Sequence, residues 1–243
     1  MVIGLWVGAA SASATDIRTV LAAERPAPPP SVDYRYVLDV TAHYGNFEDP
    51  PETATATIAV DATRPPGARA TVLSRDDDSK DLTKMIDGVI EGLEDEDNTP
   101  ERMAQSFYCT LDAQGFDVAE DTEAHAVLKP DASSMAIAMA RNNGEEGEGG
   151  RLIRRLSERR DGEIVVAKPS GQIVSSAFRM TRPMTVMLVA KIHSMEITQD
   201  CVPAPDGFMR SERFAMTSDV SALGKEMRTA MTMRVRDLEP VAP

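Results

Sequence analysis

The sequence predicts a mainly β protein with α insertions, built as a curved antiparallel sheet covered by mid-chain helices. Three observations carry this. Apolar residues recur at every second position over Tyr34–Tyr44, Thr53–Thr63 and Lys225–Asp237, the period of a half-buried strand. Proline, glycine and small polar clusters separate the strand-like runs at hairpin spacing. Between the two β-rich stretches, one segment switches to the helical period.

The strands can be taken in order. Tyr34, Tyr36, Leu38, Val40, Ala42 and Tyr44 share one face, against Asp33, Arg35, Asp39, Thr41 and His43, with Val37 the exception. Gly45 to Pro51 reads as a turn. Ala54, Ala56, Ile58, Val60 and Ala62 then repeat the alternation, and Pro65-Pro66-Gly67 closes the hairpin. Ala70 to Ser74 is a short third strand. Asp81 to Glu96 places Leu82, Met85, Ile86, Val89, Ile90 and Leu93 at helical spacing. Short helices are expected after Thr99-Pro100-Glu101, over Asp131–Arg141 and over the basic run Arg151–Arg160. Phe107–Leu111 and His125–Leu128 read as short strands. From Gly162 onward the strands return: Glu163–Lys168, a Pro169-Ser170-Gly171 turn, Ile173–Met180, a long Thr185–Thr198, Phe208–Ser218 and Lys225–Asp237.

Composition narrows the function. The chain has 243 residues, 26 Lys plus Arg and 39 Asp plus Glu, for a net charge of -13. Such a surface repels phosphate backbones, so no nucleic-acid partner is expected. Residues 1–14 (MVIGLWVGAASASA) read as a signal-peptide-like leader ending in Ala12-Ser13-Ala14. Residues 15–31 read as a Pro-rich linker, and 32–243 as a single domain. No segment has transmembrane length. Export to the periplasm follows from the leader. Cys109 and Cys201 are too far apart for a zinc or redox knuckle. They form either a disulfide or two buried thiols, and spacing does not decide between them.

No catalytic constellation is legible, so the expectation is a protein that is not an enzyme, with no catalytic residues, cofactor or metal. His43, His125 and His193 fall on three separate expected strands, without HExxH or HxH spacing. No GxSxG elbow or dinucleotide fingerprint is present. Asn142–Gly150 (NNGEEGEGG) lacks a GK[ST] ending, and its glutamates oppose phosphate. Methionine is unusual in number, 14 in all, and its flexible thioether suits an irregular apolar surface. The ligand-binding residues expected on the concave face are Leu38, Val40, Ile58, Val60, Met187, Val189, Phe214, Met216, Met231 and Met233. Their ligand would be an acyl chain or another apolar molecule. The alternative is a structural or envelope-assembly protein that docks an envelope partner through its sheet edges or the basic run.

The second half carries a resemblance. EIVVAKPSGQIVSSAFRM precedes a long strand with TVMLVAKIH, and CVPAPDGFMRSERFAMTSDVSALGKEMRTAMTMRVRDLEPV completes it. This order resembles the core of the LolA/LolB-like periplasmic lipoprotein-carrier family over Tyr34 to Pro240. The resemblance implies a half-barrel with a helical plug and an apolar cavity for lipid or lipoprotein acyl chains. The acidic mid-chain insert and the two cysteines depart from that pattern.

Overall fold

The computed structural model describes residues 16–22, 34–46, 50–77, 79–96, 109, 116–130, 155, 158–168, 170–187 and 190–241. Eleven strands form one antiparallel sheet: β1 (Tyr34–Gly45), β2 (Glu52–Asp61), β3 (Ala70–Asp76), β4 (Phe116–Asp121), β5 (His125–Pro130), β6 (Arg160–Ala167), β7 (Gln172–Met180), β8 (Met184–Met187), β9 (Ala190–Pro203), β10 (Met209–Ala222) and β11 (Lys225–Pro240). Their order is β3-β2-β1-β11-β10-β9-β7-β6-β5-β4, with β8 paired to β9. The two outermost strands, β3 and β4, are not paired with each other, so the sheet is open and not closed into a barrel.

The chain enters the middle of the sheet by pairing its first strand with its last. Thr41 lies opposite Thr232, and Ala42 opposite Met231. Hairpins then extend the sheet in both directions. The β10–β11 hairpin closes through Leu223 and Gly224, both at positive φ (53° and 78°). A two-residue turn of that hand matches the twist of the strands.

Alternation sets the two faces. In β1 the residues at 34, 36, 38, 40 and 42 are buried, as the sequence implies, and in β2 those at 54, 56, 58 and 60. The opposite face carries cross-strand ion pairs: Arg236 with Asp39, Arg228 with Asp219, Arg234 with Glu212 and Arg179 with Glu196.

Among the described residues, the helices α1 and α2 lie on the inner face. α1 (Ile17–Ala22) falls inside the stretch read as a linker, yet Ile17 is fully buried. Ile17 and Val20 pack with Ala126, Leu128, Ile164, Val166 and Ile173. α2 (Lys80–Glu94) matches the expected amphipathic helix and covers β1 and β2 with Leu82 and Ile86. Arg75 of β3 binds Asp87 of α2 (2.6 Å) and donates to the Thr83 carbonyl (3.1 Å). Glu94 accepts the backbone N–H groups of Arg69 and Ala70 at the helix's other end.

Of the expected mid-chain helical cover the described residues show α2 alone, over β1 and β2; α1, at the other end, comes from the N-terminal stretch read as a linker. Among the described residues the middle of the sheet has no helix over it. The expected helices after Thr99 and over Asp131–Arg141 lie outside the described residues, as does the Phe107–Leu111 strand apart from Cys109. Of the basic run, Arg160 opens β6 instead of ending a helix. Arg155 and Arg159 donate to the carbonyls of Thr185 and Pro183. The single strand expected over Thr185–Thr198 is two, β8 and β9, which fold back on each other with Met184 opposite Ile192.

Candidate functional site

Strand register shows which side chains share the inner face. Directly opposed residues in an antiparallel pair point to the same side. One row runs Gly162, Phe178, Ile197, Met216, Met231 and Ala42. The next runs Ile164, Ser176, Gln199, Phe214, Met233 and Val40.

At both ends these rows are sealed. Val40 lies under α2 with Leu38, Ile58 and Val60, none of them more than 6% exposed. Ile164 lies in the cluster that α1 caps. Between the caps the side chains stay half-buried: Phe178, Met195, Ile197, Phe214, Met216, Met231 and Met233. This strip crosses β7, β9, β10 and β11, three strand steps or roughly 14 Å at about 4.8 Å each. It consists largely of thioether, aromatic and branched aliphatic groups, with Gln199 and Ser176 as its polar members.

Among the residues expected to hold a ligand, the structure brings Phe214, Met216, Met231 and Met233 together in the strip. Leu38, Val40, Ile58 and Val60 share the same face, but α2 occupies the space in front of them. Met187 ends β8. Val189 lies outside the described residues. Phe178, Met195 and Ile197 were not singled out from the sequence. The signal was present in the alternation of His193, Met195 and Ile197, but reading Thr185–Thr198 as one strand gave Met187 and Val189 the same face. A bulge between the Asp219 and Val220 pairings shifts the β9 register at His193, and the β8–β9 reversal breaks the count.

The polar groups around this face are mostly structural. Cys109 and Cys201 are joined in a disulfide across 92 positions of sequence, with Cα atoms 6.3 Å apart. Arg210 is buried, stacks on the Tyr34 ring with its guanidinium carbon 4.0 Å from the centroid, and binds Asp206. Burial pushes the Tyr36 phenol up to about 12, against the opposing pull of Arg69. The three histidines are held on separate strands. His43 meets the Thr53 hydroxyl (2.9 Å), His125 lies 3.6 Å from Glu120, and His193 meets Ser221 (2.8 Å). Among the described residues, no three His, Cys, Asp or Glu side chains cluster as metal ligands. Nor is any helix there long and apolar enough to cross a membrane.

Fold and site together define an open antiparallel β-sheet protein with an apolar strip on its inner face, capped at both ends. No family model matches the chain, and no curated protein matches it. Among solved structures, a lipovitellin structure concerned with lipid–protein interactions is similar over 86% of this chain and 25% of its own, at 8% identity and a TM-score of 0.32. This chain therefore spans a quarter of that one. A LolA superfamily protein from Nitrosomonas europaea is similar over 84% of this chain and 87% of its own, at 12% identity and a TM-score of 0.27. MucB in complex with MucA(peri) is similar over 86% and 94%, at 10% identity and a TM-score of 0.12. At TM-scores this low none of the three passes a ligand, partner or activity to this chain. The sequence resemblance to the LolA/LolB-like family meets one LolA superfamily structure at that level only.

Proposed function

We propose that this chain is a non-enzymatic binding protein for an acyl chain or a similar apolar ligand. The half-buried strip of Phe178, Met195, Ile197, Phe214, Met216, Met231 and Met233 carries the reading. Side chains on the inner face of an open sheet are ordinarily sealed by a second layer, as they are here under α1 and α2. The strip instead keeps contiguous apolar surface part-exposed, which supports reading it as a binding surface. Methionine supplies the adaptable packing that a flexible chain requires.

The setting proposed for this activity is the periplasm. The disulfide supports it, since such bonds persist in oxidising compartments, and so does the leader-like start of the sequence. The test is lipid extraction of the protein purified under mild conditions, followed by mass spectrometry. Stoichiometric acyl lipid, lost in a Met216→Glu variant that still folds, is the expected result. A lipid-free protein that also fails to take up added fatty acid contradicts the reading.

A second reading has one observation in its favour. β3 is an edge strand with exposed Val72 and Leu73 (42% and 58%), and exposed edges pair with other chains. An envelope-assembly partner would add a strand there. Val72→Lys with Leu73→Lys would abolish such pairing and leave acyl binding intact.

A further inference from the structure

Thioether sulfur is concentrated at one place on the inner face. Met216 of β10 lies directly opposite Met231 of β11, and Met233 lies opposite Phe214. Side chains two positions apart on a strand share a face, so Met216, Met231 and Met233 stand at the corners of a triangle. Directly opposed Cβ atoms are about 5 Å apart, and diagonal neighbours about 7–8 Å or somewhat less. Methionine is unbranched and flexible, so the three sulfurs can turn toward one centre. All three side chains are half-buried, so the centre is open to an ion from solution.

The flanking methionines are engaged differently. The Met195 sulfur accepts from Arg160 Nη2 at 3.0 Å, and the Met227 sulfur accepts from the Tyr44 hydroxyl at 3.1 Å. The triangle's own neighbours in register are Ile197 opposite Met216, Phe214 opposite Met233, and Ala42 and Val40 opposite Met231 and Met233. None of these four side chains carries an oxygen or nitrogen donor. The carboxylates of Asp39 and Asp219 are held by Arg236 and Arg228 on the other face.

A neutral donor set of this kind is chemically selective. Thioether sulfur is a soft ligand that suits Cu(I), whereas carboxylate and carbonyl oxygen suit Mg, Ca and Mn. Moving a divalent ion into apolar surroundings costs about four times as much as moving a monovalent ion of equal size, because the cost grows with the square of the charge. Uncharged thioethers offer no counter-charge against it. Nor does a thiolate compete for a soft ion, because both of the chain's cysteines are in the disulfide.

We propose that Met216, Met231 and Met233 form a binding site for a soft monovalent metal ion, Cu(I), held by three thioether sulfurs. The inference goes beyond the acyl-binding reading and does not depend on it.

The experiment titrates Cu(I) into the full chain against the coloured chelator bicinchoninate, with ascorbate present and oxygen excluded. It is run at about pH 7 and about pH 5, with correction for protonation of the chelator. Ag(I), which needs no reductant, is titrated in parallel while the methionine methyl resonances are followed by NMR. One ion per chain is expected, with shifts confined to Met216, Met231, Met233 and their immediate neighbours. The affinity is expected to be the same at both pH values, because a thioether has no proton to lose, whereas an imidazole site weakens as the ring protonates. Met→Leu changes keep the apolar volume nearly constant. Each of Met216→Leu, Met231→Leu and Met233→Leu is expected to lose about tenfold or more in Cu(I) affinity, and the triple variant to lose stoichiometric binding. Absence of Cu(I) binding by wild type overturns the site. So does binding that the triple variant retains, or that weakens at the lower pH. Should the triple variant not fold by circular dichroism, the single variants and the wild-type methyl shifts still decide. Palmitate titration of metal-free wild type tests the acyl reading separately, so failure of one is not failure of the other.

Discussion

Glu94 ends α2, and its carboxylate accepts two backbone N–H groups at the start of β3, Arg69 at 3.1 Å and Ala70 at 2.6 Å. Burial raises its pKa, but the N–H donors of Ala70, Arg69 and Gly67 outweigh that, and the net shift is downward. Replacing Glu94 with Ala leaves part-buried donors without their acceptor. A loss of about 1–3 kcal/mol in urea unfolding is expected. The outer face follows the same sign. Asp39 is held below the ordinary carboxylate range chiefly by its hydrogen bond from Arg236, and Asp219 chiefly by that from Arg228. The folded state therefore binds fewer protons than the unfolded chain just below the usual carboxylate pKa of about 4. Their stabilisation is complete above that pKa and is lost as the pH falls through the folded values. Urea midpoints should be flat between about pH 5 and 7 and decline below about pH 4. Salt should reduce the decline, because these pairs are exposed.

At the scale of elements, α2 covers one end of the inner face, and the disulfide ties Cys201 into the cluster that α1 caps toward the other. Ile86 is fully buried against β1 and β2, so Ile86→Ala should cost about 2–5 kcal/mol in denaturant unfolding. The Cys109–Cys201 bond closes a loop across 92 positions, and Cys109→Ser with Cys201→Ser should cost about 4.6 kcal/mol in the chain-entropy account. Reductant should lower the Tm of wild type and leave the double variant unmoved. These elements were unequally legible. α2 was plain because Leu82 and Ile86 sit one turn apart with charge on the far side. β1 and β2 were plain because their alternation is interrupted only at Val37. β9 was not, because a register shift and a tight reversal interrupt the period-two count that assigns faces. α1 was hidden too: six residues are too few to establish a helical period, and only tertiary packing reveals that Ile17 is core. The disulfide lay beyond sequence reasoning because spacing carries no distance.

For the whole molecule, the question is why an open sheet leaves its middle strands part-covered. The caps seal β1–β2 and β5–β7 with aliphatic clusters, while β9, β10 and β11 present Met195, Ile197, Phe214, Met216, Met231 and Met233 half-buried between them. Four of the ten expected binding residues, Phe214, Met216, Met231 and Met233, fall in that strip. Leu38, Val40, Ile58 and Val60 share the inner face but lie under α2. Helical cover of the sheet was expected, but that α2 would lie on these four residues was not legible, since a periodic strand does not show what packs on it. The account requires the strip to be energetically dispensable for folding yet indispensable for binding. Titrating a fluorescent fatty acid into wild type and Met216→Glu, with thermal unfolding of both, tests that most directly. Saturable binding by wild type, lost in the variant with little change in Tm, is the predicted result. Binding of equal strength in both, or no saturable binding in either, would contradict it.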